Sequence, residues 1–308
     1  MLLCILLLFS CLKENRSGCP RQIRVYFIAP AFIDPAGVDR MHLYVFDRDG
    51  YFVTKFRDDN IAGFSPDYYI DCSGLRPGNY RLIAWGGKDE RYYSTSPASL
   101  VAGKTTFDEA LLMLDHPQNI VTKSPSHIFH SDIAATVVAG NSFQRFDMPL
   151  SQLSNTINIY TVGLAADADD YTFNIVDNNC SYGFDRLPVS PPHAGFTYSA
   201  PCARDSEMQL RSTLNVLMLS ADRRTPQLGI YNEIAGKPLY PAGNDTRAST
   251  ATITQSGDLI GLILAANPHN DFETTHRYDI VLDFSTGLGV AVSVNGWQVR
   301  DQNNELAE

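Results

Sequence analysis

Charge is scarce in this chain. Only 19% of its 308 residues are Asp, Glu, Lys or Arg, against ~25% in a typical soluble domain. What charge there is leans acidic, with 34 carboxylates to 24 basic groups and a formal net charge of −10. No basic stripe is present to displace counterions from phosphates, which argues against nucleic acid as a partner. No apolar run approaches the ~20 residues that a membrane-spanning helix needs. The chain has no Cys-x-x-Cys pair to hold zinc or exchange thiols, no Gly-x-Ser-x-Gly elbow and no His-Glu-x-x-His pair. What it has is apolar mass, 44% of residues, led among the aromatics by 16 Phe and 15 Tyr. That is enough to bury a core, which excludes wholesale disorder, and the aromatic share leans toward β-structure.

From Gln22 onward the pattern is strand after short strand. Ile23–Phe27 and Met41–Phe46 carry the two-residue period of a half-buried strand. Asp47-Arg-Asp-Gly50 is a turn cluster, and Tyr51–Phe56 resumes the period, which makes a hairpin. Arg76-Pro-Gly-Asn79 is a second turn feeding Tyr80–Trp85, which Gly86-Gly87 ends. Further strands are expected at Ile133–Val138, Phe143–Met148, Thr156–Val162, Tyr171–Val176, Leu214–Leu219, Tyr278–Phe284 and Val290–Val294, and a helix at Thr106–Leu114. Short strands with turns every 8–12 residues imply an all-β sandwich or barrel, not a parallel α/β sheet. The polar stretch Ser151–Asn155 marks a boundary at about residue 153, giving domains at 22–153 and 154–308.

The chemistry on offer is thin. Ala98–Thr105 fits a loose phosphate-binding loop, but a polar, proline-broken segment precedes it where a buried strand should be. A surface turn explains it better, and no nucleotide is expected. His127 and His130 lie three apart, which on a strand puts them on opposite faces and not on one metal. Asp47–Gly50 lacks the third carboxylate and distal Glu of a calcium loop, and Asp167–Asp170 is a denser acidic loop. Trp85 and Trp297 could stack on sugars, but aromatics that end apolar strands are more often core. Neither a cofactor nor a metal is called for.

The N-terminus carries an address. Residues 2–9 form an apolar run too short to span a bilayer, followed by Ser10 and Cys11. Leu8-Phe-Ser-Cys11 resembles a bacterial lipobox, in which the cysteine is diacylated and becomes the new N-terminus, although no basic residue precedes it. On this reading residues 1–10 are a signal peptide and 11–21 a lipidated polar tether. The cysteines left are Cys19, Cys72, Cys180 and Cys202. Outside the cytoplasm four cysteines can pair in three ways, and sequence proximity favours Cys19–Cys72 and Cys180–Cys202.

Several blocks together resemble the FimB-type family of fimbrial anchor and accessory lipoproteins of Bacteroidota. They are Cys11, Cys19-Pro20, Leu43–Gly50, Ile128–His130, Asn155–Ile159, Tyr278–Leu282 and Val294–Trp297, with the Gly78-to-Gly87 block (Gly-x-Tyr-x-x-x-x-Trp-Gly-Gly) the most specific. The resemblance implies two transthyretin-like, Greek-key β-sandwich domains, a lipid at Cys11, a place at the outer membrane or on the fimbrium, and no catalysis. It implies fimbrial stalk or accessory subunits as partners, supporting fimbria assembly and cell adhesion. Strand addition suits such partners, because a sandwich has open edges. Two rivals stand beside it, a glycan-binding lipoprotein with exposed aromatics in a shallow groove, and a hydrolase with carboxylates facing across a cleft.

Overall fold

The computed structural model describes residues 21–31, 33, 37–164, 170–189, 195–204, 209–222, 226–241, 253–286 and 289–299. The segment expected to be signal peptide, and the expected tether up to residue 20 with Cys11 and Cys19, lie outside them. The first half contributes β1 (Ile23–Ile28), β2 (Met41–Asp47), β3 (Phe52–Asp58), β4 (Tyr69–Asp71), β5 (Gly78–Gly86), β6 (Tyr93–Ser96), β7 (Leu111–Leu114), β8 (Ile120–Val121), β9 (Phe129–Val137), β10 (Gln144–Pro149) and β11 (Ser151–Gln152). The second contributes β12 (Ser154–Val162), β13 (Tyr171–Asp177), β14 (Ser181–Gly183), β15 (Phe196–Pro201), β16 (Ala203–Arg204), β17 (Leu210–Leu217), β18 (Gln227–Asn232) and β19 (Lys237–Tyr240). Helices α1 (Ile253–Ser256) and α2 (Leu259–Ala266) follow, then β20 (Arg277–Asp283), β21 (Ala291–Val294) and β22 (Trp297–Gln298). The protein is all-β, as its strand periodicity implies.

Two sandwiches result. In the first, a three-stranded sheet in the order β10-β1-β4 faces a five-stranded sheet, β11-β9-β5-β2-β3. Val25 and Phe27 from one and Leu43, Val45, Leu82 and Ala84 from the other meet in its core. In the second, a six-stranded sheet, β16-β17-β12-β20-β21-β22, accompanies a five-stranded one, β19-β18-β13-β15-β8. The change of sheet falls at residue 153, where β11 closes one sheet and β12 opens the next.

That junction is not a linker. Leu153 and Ser154 are buried, and pairing crosses it twice. Strand β7 pairs with β14 and β8 pairs with β15. The apolar core crosses it too, for Tyr44, Phe46, Ile83 and Trp85 pack with residues of the second half, Phe184 among them. Strand β2 therefore sends Leu43 and Val45 into one core and Tyr44 and Phe46 into the other. The half-buried alternation expected at Met41–Phe46 is in fact burial on both faces.

The helix expected at Thr106–Leu114 does not form. Thr106 donates its N–H to Glu109 Oε2 at 2.9 Å in a turn, and Leu111–Leu114 is β7, with Leu112 and Leu114 inward. The longer of the two helices is α2, where Asp258 caps the N-terminus by accepting the Gly261 N–H at 2.9 Å. Its run Leu-Ile-Gly-Leu-Ile-Leu-Ala-Ala is apolar all round, so periodicity carries no helical signal there.

The Gly78–Gly87 block is structural. Tyr80 Oη donates to the Arg76 carbonyl at 3.0 Å, bracing the turn into β5. Trp85 is fully enclosed against His130 and Phe184. Gly87 has φ +68°, and a Cβ there would sit 2.0 Å from the His127 carbonyl oxygen. Only glycine fits.

Candidate functional site

A sandwich offers its strand edges and surface hollows. Several of the edges here are blunted. Strand β3 is tied at its start, where Phe52 N–H donates to Thr105 O and Gly103 N–H to Phe52 O, both at 2.8 Å. Beyond that it exposes Lys55 and Arg57, charges that discourage pairing. Strand β10 ends in Pro149 and carries an Arg145–Asp147 ion pair, and β19 contains Pro238. Two outward N–H groups of β17 are capped by side chains, Asn215 N–H by Ser124 Oγ at 2.8 Å and Leu217 N–H by Tyr198 Oη at 3.1 Å.

The β1–β4 edge differs. Strand β4 covers only Arg24–Tyr26 of the six-residue β1. The Cys72 N–H bonds the Ile23 carbonyl at 2.7 Å, so alternation turns the backbone N–H and C=O of Val25, and then of Phe27, toward the same side. At Phe27 β4 has ended. A small hollow of about 130 Å³ opens there, lined by Phe27, Ile28, Ala29, Phe64, Ser65 and Pro66. Ile28 is 38% exposed at its rim. The end of a briefly covered strand beside an apolar hollow offers an added strand a place to pair and a pocket for an alternate side chain.

The outer face of the same sheet is an aromatic and guanidinium ladder. The Tyr26 and Tyr69 rings lie 5.3 Å apart. Arg24 sits 4.3 Å over Tyr69 and Arg145 3.8 Å over Tyr26. Each such pair at an exposed site is worth ~0.5–1 kcal/mol and holds the face flat beside the open edge. Tyr68 anchors the loop behind it, its hydroxyl reaching Asp58 Oδ2 at 3.3 Å. Burial and that carboxylate raise the Tyr68 pKa far above the usual phenol range. The sequence shows no signal for this hollow except the proline-broken Phe64-Ser-Pro66 just ahead of a very short strand.

The cysteines divide. Cys72 is fully buried, and burial followed by the nearby Asp71 charge pushes its thiol up to about 12. It stands opposite Ile23, four residues after Cys19. The expected Cys180–Cys202 bridge is corrected by the register. Thr172 pairs with Pro201 and Asp177 with Phe196, so the ladder is about 17 Å long at ~3.4 Å per residue. Cys202 follows Pro201 at one end and Cys180 follows Asp177 at the other. Three residues span at most ~10 Å, which cannot bring the two within the ~7 Å that a disulfide requires. Neither forms a disulfide in the structure, and both are buried.

The remaining candidates settle as follows. His130 is buried in β9, its Nε2 2.8 Å from the Phe184 carbonyl, while His127 Nδ1 lies 3.0 Å from Ser154 Oγ. The pair shares no site, and among the described residues no cluster of metal-ligating side chains occurs. In the Ala98–Thr105 loop the Gly103 and Lys104 N–H groups are spent on Phe52 O and Val101 O, with no helix following. Asp47 closes its hairpin by accepting the Asp49 and Tyr51 N–H groups at 3.0 and 2.9 Å. Asp167 and Asp169 lie outside the described residues. Trp85 is core, whereas Trp297 is 67% exposed on β22, which corrects its reading as a core residue.

Residues 16–303 match the family model for the fimbrillin-A associated anchor proteins Mfa1 and Mfa2. The minor fimbrium anchoring subunit Mfa2 of Porphyromonas gingivalis is 22% identical, across 97% of this chain and 92% of its own length. The solved structure of the P. gingivalis fimbrial anchor protein Mfa2 superposes with a TM-score of 0.70 at 18% identity, covering 92% of this chain and all of that one. A solved structure from Bacteroides thetaiotaomicron gives a TM-score of 0.68 at 21% identity, covering 92% and 99%.

Proposed function

The chain belongs to the family of fimbrillin-A associated anchor proteins, and from that premise we propose that it is a lipid-anchored fimbrial subunit that holds its neighbour by strand addition at the β1 edge. What supports this is the short cover that β4 gives β1, reaching only to Tyr26, beside the hollow of Ile28, Phe64 and Pro66. A neighbour's extended segment would approach the end of β1 beyond the cover of β4 and place one apolar side chain in the hollow. Area buried there would contribute most of the gain, at ~25 cal/mol per Å².

Cys11 is the lipid site on this reading. Diacylation supplies two chains at ~0.8 kcal/mol per buried CH₂, enough for stable retention in the outer membrane. The role is structural, anchor or accessory, and supports assembly and adhesion without catalysis. The lopsided first sandwich favours the β1 edge over the capped β17 edge.

Two variants in the producing bacterium test it. Cys11→Ala should release soluble protein or leave unprocessed precursor. Full membrane retention with normal processing would refute the lipid anchor. Phe64→Asp, which puts a charge into the hollow while leaving β1 intact, should shed fimbriae into the medium with the anchor still in the membrane. Fimbriae unchanged in amount, length and attachment would refute the β1 edge.

A further inference from the structure

The second sandwich carries a hollow that strand pairing does not use. Strands β21 and β22 are joined by Asn295-Gly296, both with positive φ, +51° and +80°. These are the two left-handed positions of a tight hairpin. The turn throws Trp297 outward, 67% exposed. Beside the indole lies a hollow of about 170 Å³ between the hairpin and the end of α2. Its apolar part is Ile263, Ala266 and Val294, and its polar part is Asn267, Asn270 and Asn295 together with Thr275 and Tyr278. No charged side chain lines it.

Each asparagine is held at one end of its amide and open at the other. Asn267 Oδ1 accepts the His269 N–H at 3.1 Å. Asn295 Oδ1 accepts the Asp279 N–H at 2.8 Å. Asn270 Nδ2 donates to Tyr278 Oη at 2.9 Å. Two amide donors, Nδ2 of Asn267 and Nδ2 of Asn295, and one acceptor, Oδ1 of Asn270, are left without a partner among the described residues. Their orientation is fixed in advance, which removes the ordering cost of binding. A flat aromatic face, a small apolar floor and neutral, forked hydrogen-bonding groups are complementary to a sugar ring. The ring has apolar C–H groups on one face and hydroxyls at its rim.

We infer that this hollow is a saccharide subsite for a neutral N-acetylated hexose. The ring stacks on Trp297, and the acetamido methyl lies against Ile263, Ala266 and Val294. The acetamido oxygen and a hydroxyl accept from Asn267 and Asn295, and the acetamido N–H or a second hydroxyl donates to Asn270. The hollow holds one ring and not a peptide or a drug-sized ligand. This inference stands apart from the fimbrial reading, since it uses neither the β1 edge nor Cys11.

The two tryptophans make the test direct. Trp85 is fully enclosed and Trp297 is exposed, so a ligand at the hollow changes the emission of Trp297 alone. Full-length protein is titrated with N-acetylglucosamine, N-acetylgalactosamine and glucose, with saturation-transfer NMR on the same samples as a second readout. A saturable change is expected with at least one N-acetylated sugar, near the ~1 mM typical of a single stacked ring (about −4 kcal/mol). Glucose should bind at least tenfold more weakly. Trp297→Ala should abolish saturation transfer, and Asn270→Ala should weaken binding about tenfold while keeping Trp297 emission. No saturable change with either N-acetylated sugar up to ~100 mM, a hundred times that constant, would overturn the subsite. So would a Trp297 that responds only to a fimbrial subunit, which would make it a protein contact. Equal binding of glucose would overturn the acetamido assignment.

Discussion

His42 and His130 should make the fold sensitive to mild acid. Both are fully enclosed, and both are held down to about 4, from an ordinary 6.5. For each the dominant cause is burial, which penalises the imidazolium. At His42 the charges of Lys88 and Lys55 act in the same direction, and the hydrogen bond and charge of Asp59, 2.9 Å away, oppose them without winning. At His130 the Phe184 carbonyl and the Asp132 and Asp185 charges oppose, while Arg186 assists. A histidine depressed in the folded state contributes stability that is fully present above 6.5 and lost as pH falls toward 4. Between pH 7.5 and 5 each loses about 2 kcal/mol of that contribution, and His276, also lowered by burial, adds to the same trend. The window lies above the range where most carboxylates protonate, so the histidines dominate it. Urea unfolding at pH 7.5 and 5 measures the loss. His130→Phe, which keeps the ring against Trp85, pays a pH-independent cost of ~1–3 kcal/mol for the unpaired Phe184 carbonyl. It should nonetheless lose about 2 kcal/mol less than the wild type between the two pH values. A variant whose loss matches the wild type within about 0.5 kcal/mol would refute a depressed His130.

Three further outcomes are expected. Gly87→Ala should cost ~1–2 kcal/mol for the left-handed backbone plus the displacement of the His127 carbonyl 2.0 Å from the new Cβ, whereas Gly50→Ala, with φ +84° but nothing within 4 Å, should cost the backbone part only; equal melting shifts would refute the close-approach argument. Peptide mapping without reduction should recover Cys180 and Cys202 not joined to one another, and any linkage of Cys72 should be to Cys19, whose reach from Ile23 allows it; a Cys180–Cys202 peptide would overturn the register. Binding of a partner subunit to the full chain should survive 1 M salt, because the Debye length falls to ~3 Å while the hollow at the β1 edge is apolar; loss of binding there would point to charge steering instead.

Strands were legible wherever one face meets water. In β12, Ile157 and Ile159 point inward between polar neighbours, so the period shows directly in the letters. The reading faltered where a segment is buried on both sides, as in β2 and α2, because burial all round erases the period that separates strand from helix. Thr106–Leu114 failed for a related reason. Its last four residues, Leu111–Leu114, belong to a short strand shared with the second half, a contact no local pattern encodes. The proposed docking edge was legible only in kind. That a sandwich leaves edges open follows from its class, but which edge is blunted depends on distant partners such as Ser124 for Asn215 and Thr105 for Phe52. Trp297 was misread because a strand-ending aromatic gives no sign of which side of a hairpin it will take.

On the anchoring reading, the strand that meets the membrane leash is the strand that meets the partner. The chain enters β1 at Ile23, and the proposed docking edge lies at its other end, Phe27 and Ile28. Tension between lipid and polymer would then run along β1 itself. That strand is the central one of its sheet, paired in parallel with β10 over all six residues and antiparallel with β4 over three. A pull along its axis loads these pairs together in shear, so no single hydrogen bond can fail first and unzip the rest. Val25 and Phe27 also fix β1 to the five-stranded sheet from below. That sheet is in turn locked to the second sandwich by the core around Trp85 and Phe184. The shared core and the crossing pairs β7–β14 and β8–β15 thus have a mechanical meaning. They make the second half a brace for the first, where two independent beads on a string would leave the six-residue strand to resist the load alone.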